Sequence, residues 1–70
     1  MSYDTLIERL ESIEEDLGDL AYARLRELAS DPDGDGAVRA KQEERKLLSA
    51  RRSIAKSIES LRALTVDSER

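Results

Sequence analysis

Apolar side chains open the chain at Tyr3, Leu6, Leu10, Ile13, Leu17 and Leu20, in alternating steps of three and four residues. This is the spacing of a helix packed along a partner helix, and it predicts a helix over about residues 3–30. Continuing the same repeat would place Arg24 and Glu27 in the seam. The apolar track instead runs Leu17, Ala21, Leu25, Leu28, an eleven-residue step that relaxes supercoiling locally. Gly18 lies beside that shift. In a helix interior glycine costs up to about 1 kcal/mol against alanine, so it marks a close helix approach, a small kink or a tolerated position. Ser2, Asp4 and Thr5 are capping candidates at the start, and Thr5 has Glu8 three residues on, as in a capping box.

The stop is marked by Ser30-Asp31-Pro32-Asp33-Gly34-Asp35-Gly36. Proline disfavours helix at the residue before it, and the aspartates and glycines are turn formers, so 31–36 is predicted as the loop. A second helix is expected over about 37–65, capped by Asp33 or Asp35, with a frayed tail at 66–70. Its apolar residues concentrate late, at Leu47, Leu48, Ile54, Ile58, Leu61 and Leu64, and are sparse around Ala37, Val38 and Ala40.

A tight turn between two helices makes facing residue numbers add to about 68. Leu28 then faces Ala40, Ala21 faces Leu47, Leu10 faces Ile58 and Leu6 lies near Leu61. The expected fold is therefore all-α, a single domain over 1–70 forming an antiparallel two-helix, coiled-coil-like hairpin. Its core seam is Leu6, Leu10, Ile13, Leu17, Leu47, Ile54, Ile58 and Leu61. Ile7, Ala21, Leu48, Ala55 and Leu64 flank the seam and make the apolar face broader than one helix covers. Seventy residues also leave a large fraction of surface exposed. Both points lead to a homodimer, a four-helix bundle whose contact lies in 3–20 and 47–64, away from the loop.

Charge reinforces the antiparallel pairing. Residues 1–36 carry eleven acids and three bases, 37–65 carry eight bases and three acids, and the chain as a whole is at −4. Opposite charge on partner helices favours register and specificity more than stability, because each exposed pair contributes only about 0–1 kcal/mol. Composition removes whole classes of chemistry. With no cysteine and no histidine, thiolate or imidazole metal ligands, a cysteine nucleophile and the commonest general base are all excluded. The acidic start MSYDTLIERL has no apolar core of a signal peptide, and no apolar run approaches membrane-spanning length, so a cytoplasmic protein without a membrane association is expected.

Three groups of side chains are candidate sites. Asp31, Asp33 and Asp35, with Gly36 and Val38, resemble the start of an EF-hand calcium loop. Gln42 stands at its twelfth position, where a bidentate glutamate belongs, and Pro32 and Arg39 also depart from the pattern, so a plain turn is favoured and weak calcium binding is the third functional reading. Arg39, Lys41, Arg45, Lys46, Arg51, Arg52 and Lys56 form a basic run. The acidic neighbouring helix and the absence of interleaved aromatics argue against direct nucleic-acid contact, which leaves Arg45, Arg51 and Arg52 as candidate contacts to a protein partner. Glu8, Glu11, Glu14, Glu15, Asp16 and Asp19 share helix faces but lack the histidines of a carboxylate metal bundle, so they read as a solvated face. No catalytic residue and no cofactor are expected.

The stretch Arg39-Ala40-Lys41-Gln42-Glu43-Glu44, following an aspartate-rich tip on a hairpin, resembles the coiled-coil portion of DksA/TraR-type regulators of RNA polymerase. That resemblance implies that Asp31, Asp33, Asp35 and Ala37 reach into the polymerase secondary channel. Pro32 stands where the family's tip motif has its first aspartate, and the family's cysteine zinc finger is absent. Helical-hairpin anti-sigma factors of actinobacterial type are similar at Ser49 and Arg52 only; Arg45, Lys56 and Ser60 occupy the other places of their nucleotide-binding signature. The expected function is a non-enzymatic interaction or regulatory module acting as a hairpin dimer. The alternative is a transcription regulator that binds RNA polymerase or a sigma factor through the acidic tip or the basic helix.

Overall fold

A computed structural model describes residues 2–68, with the side chain of Ser68 excepted. Two helices, α1 at Tyr3–Ser30 and α2 at Ala37–Ser68, lie antiparallel along most of their lengths and form a rod whose Cα extents are 56 × 14 × 14 Å. The expected helical hairpin is what the chain forms. α2 continues through 66–68, where a frayed tail was expected, since nothing in Thr65-Val66-Asp67-Ser68 breaks a helix. Residues 69–70 of that expected tail lie outside the described part.

Ser2 is the cap of α1. Its backbone is extended at φ −85° and ψ 160°, and its Oγ accepts from the Thr5 amide at 3.2 Å. Thr5 is thus the capped residue, its hydroxyl 2.9 Å from that of Ser2. At the other end Pro32 disfavours helical geometry at Asp31, which sits at φ −149° and ψ 74° while its amide still donates to the Glu27 carbonyl. Two successive turns follow, Gly34 N–H to Asp31 C=O and Ala37 N–H to Gly34 C=O. The first intrahelical bond of α2 runs from the Ala40 amide to the Gly36 carbonyl, so Gly36 occupies the cap position expected for Asp33 or Asp35. No described glycine has positive φ, so the loop closes without left-handed backbone. A Cβ on Gly34 would meet only the Asp31 carboxylate, the exposed end of a side chain free to turn aside.

The helices meet along rows that repeat every seven residues. On α1 the covered row is Ile7, Leu10, Glu14, Leu17, Ala21, Arg24 and Leu28; on α2 it is Ala40, Glu44, Leu47, Arg51, Ile54, Ile58, Leu61 and Thr65. Only Ile7, Ala21, Ala40 and Ile58 are buried among the described residues, and most of the rest are half-buried. Two corrections follow. Arg24, not Leu25, continues the seam: its side chain is 30 % exposed and bonded to Glu43 of α2, whereas Leu25 is half-exposed. Arginine serves there because its aliphatic stem packs while the guanidinium reaches the groove edge. Ile7 and Ala21, expected beside the seam, are inside it, and Leu6 and Ile13, expected inside, lie at its border, Leu6 half-buried and Ile13 45 % exposed.

The expected register holds. Facing residue numbers add to 67 at Arg24–Glu43 and to 69 where the Arg51 guanidinium lies over Gly18. A Cβ on Gly18 would meet that guanidinium at 3.4 Å, ordinary contact, and α1 runs through Gly18 unbroken.

Candidate functional site

Because the seam uses only one row of each helix, the hairpin has two long sides, and they differ in chemistry. On one, Leu6, Ile13 and Leu20 stand seven residues apart on α1. They share a face and span about 21 Å along it at 1.5 Å per residue. Leu20 is 51 % exposed and Ile13 45 %. Leu20 lines an open groove with Arg24, Glu43, Lys46 and Leu47. Seven-residue steps along α2 from Glu43 and Lys46 lead to Ala50 and Ser57, and to Ser53 and Ser60, all exposed. The serine hydroxyls are turned back onto their own helix: Ser53 donates to the Ser49 carbonyl at 3.3 Å, Ser57 to Ser53 at 3.1 Å and Ser60 to Lys56 at 3.1 Å. With its donors occupied, this track presents small side chains as far as Leu64, the next seven-residue step after Ser57, which is 45 % exposed. This side therefore carries an aliphatic ridge beside a shallow small-residue track. Apolar periodicity does not reveal the track, although the spacing Ser53, Ser57, Ser60 displays it.

The other side is mainly charged, with Leu25, one heptad after Gly18, 49 % exposed on it. Glu14, Leu48, Arg51, Arg52 and Ala55 line a second open groove, and Arg45 is one heptad before Arg52. Glu11 bonds Arg62 across the helices, Arg62 Nη2 donating to Glu11 Oε2 at 3.4 Å. Glu8 and Glu15 flank this edge by spacing. Arg45, Arg51 and Arg52 are all exposed, but only Arg45 and Arg52 share a row; Arg51 reaches across the seam to Gly18. Ser49 and Arg52, paired by the anti-sigma resemblance, are both exposed.

At the loop end four charges alternate. Arg24 Nη2 meets Glu27 at 2.9 Å, Arg24 Nη1 meets Glu43 at 3.4 Å and Arg39 Nε meets Glu43 at 2.9 Å. The Arg39 hydrogen bond lowers the Glu43 pKa below the ordinary carboxylate value; partial burial opposes it and Arg24 assists it. Arg24 Nε, by contrast, is buried without a hydrogen-bond partner. Asp31, Asp33 and Asp35 are all exposed at the tip of the rod. They do not converge: among the described residues no three carboxylates come together as a metal-holding group, so the calcium reading gains no geometry. No described polar or charged residue is buried as a whole, and no described helix is long and apolar enough to cross a membrane. Compared with known proteins, the chain matches no family model, no curated protein and no solved structure.

Proposed function

We propose that this chain is a non-enzymatic interaction module that works as a homodimer of helical hairpins, a four-helix bundle in the cytoplasm. The observation that carries the reading is the surface left uncovered. A folded monomer of 7.9 kDa is expected to expose about 4,400 Å². The hairpin exposes 5553 Å², about 1,100 Å² more, and an ordinary stable interface covers about 800 Å² on each partner. The excess includes half-exposed Ile13 and Leu20 on one side of the rod. Sedimentation equilibrium over a range of concentrations tests the reading. A dimer supports it; a folded monomer at every concentration removes it.

A second reading rests on the tip. Three exposed aspartates at the end of a 56 Å rod suit insertion into a channel of a larger machine, and the exposed Arg45 and Arg52 offer a second contact. On that reading the module regulates transcription by binding RNA polymerase or a sigma factor. Purified polymerase and sigma factor, offered to the immobilised chain, test it. Charge reversal of Arg51 and Arg52 abolishes capture if the basic side is used, and replacing Asp31, Asp33 and Asp35 with asparagine abolishes it if the tip is used. Absence of capture by the unaltered chain refutes the transcriptional reading.

A further inference from the structure

We infer that the side carrying Leu6, Ile13 and Leu20 takes a second copy of this chain, arranged so that both loops lie at the same end and α1 of each copy stacks on α2 of the other. The inference rests on the dimer reading above and adds to it the face, the symmetry and the register.

Two symmetric ways of stacking this side on itself are available. A two-fold axis parallel to the rod lays α1 over the partner's α2 and keeps the loops together. A two-fold axis across the rod lays α1 over the partner's α1 and puts the loops at opposite ends. Shape separates them. In the first arrangement every residue keeps its height along the rod, and facing heights add to about 68, as at Arg24–Glu43 and Gly18–Arg51. Leu20 of one copy then arrives beside Leu47 and Ala50 of the other, Ile13 between Ser53 and Ser57, and Leu6 between Ser60 and Leu64. Ile13 and Leu20 meet small residues whose hydroxyls, where present, are already bonded to their own helix, and Leu6 closes that end against the aliphatic Leu64. In the second arrangement the aliphatic ridge meets itself and the small-residue track faces its own copy, which leaves a ridge too high and a gap beside it.

Charge selects the same arrangement. Residues 1–36 carry eleven acids against three bases and 37–65 carry eight bases against three acids. Stacking α1 on α2 brings the acidic helix over the basic one. Stacking like on like sets two acidic helices and two basic helices against each other. The charged side, with Glu11–Arg62 and the Arg51–Gly18 contact, remains outside and open to a different partner.

The chain has no cysteine, so single labels are easily placed. Nitroxide labels at Asp33→Cys, an exposed loop position, are read by pulsed dipolar spectroscopy on a sample whose mass is followed by sedimentation. The expected result is a dimer with a label separation well under half of the 56 Å rod length. The same result is expected for Asp4→Cys at the other end, and a separation near the rod length for a mixture of the two labelled chains. A dimer with Asp33→Cys labels near 56 Å apart overturns the arrangement and leaves the dimer reading standing; a monomer overturns both. The face is tested by oxidising a mixture of the Ile13→Cys and Ser57→Cys chains, which forms a mixed disulfide. Efficient linkage instead between Glu15→Cys and Arg52→Cys chains, a pair at matching heights on the charged side, overturns the choice of face.

Discussion

Replacing Ile13 and Leu20 together with glutamine removes the aliphatic ridge while keeping side chains that favour helix or tolerate it. Full burial of an isoleucine or leucine is worth about 1.5–3 kcal/mol. Ile13 is 45 % and Leu20 51 % exposed in the single hairpin, so roughly half of that value, about 0.7–1.5 kcal/mol per side chain, remains for a second copy to collect. A symmetric dimer holds four such side chains, giving about 3–6 kcal/mol of association free energy, or a dissociation constant weakened by about 10² to 10⁴. The other half of each side chain contributes to the hairpin itself, so its melting temperature also falls; helix content at low temperature, read by circular dichroism, shows that folding persists. Sedimentation equilibrium supplies the dissociation constant. Tyr22→Gln is the matched control, because Tyr22 is 62 % exposed but stands on the charged side, and it is expected to leave association unchanged. The reasoning is refuted if the double variant stays helical and associates within threefold of the unaltered chain, or if Tyr22→Gln weakens association as much.

Gly18→Ala is expected to raise stability by up to about 1 kcal/mol, because the helix gains propensity and the new Cβ only touches the end of the Arg51 side chain; for a chain this size that is a melting shift of about 4–8 °C. A lower melting temperature would show that the Arg51 contact tolerates no filling. Ser2→Ala, which removes the acceptor for the Thr5 amide, is expected to cost about 1 kcal/mol in thermal unfolding, and Ser2→Gly only a few tenths. Equal losses for the two would contradict capping by the hydroxyl. Acid should weaken the loop end. Arg39 and Arg24 lower the Glu43 pKa in the folded chain, so its contribution is complete above the ordinary glutamate pKa of about 4.3 and is lost as pH falls through the lowered folded value. Melts of the unaltered chain and of Glu43→Gln should therefore converge as pH drops below about 4; a gap that is constant from pH 7 to 3 would refute the assignment.

How much of this was legible along the chain depended on whether the signal was local. Helix bounds were: Ser2 ahead of an apolar repeat, and Pro32 after Asp31, act through their own backbone neighbours, and α1 and the loop fell at 3–30 and 31–36 as the pattern required. The register was legible too, because a short loop leaves two antiparallel helices little freedom to slide. The end of α2 was not legible, because a polar tail without glycine or proline has no stop signal of its own.

What periodicity along one helix could not decide was the rotation of that helix about its axis. Tyr3, Leu6, Ile13 and Leu20 form as good a stripe as Ile7, Ala21 and Leu28, and both border Leu10 and Leu17. Only the partner helix breaks the tie. One straight row must serve the whole rod, and the row that buries Ile7 and Ala21, and partly covers Leu28, brings Arg24 to Glu43 and Gly18 under Arg51, leaving Ile13 and Leu20 half outside. The amino-acid order thus determined two helices, a turn, a register and an opposition of charge. Packing decided which side chains those helices hide, and so which face of the rod is left for something else to cover.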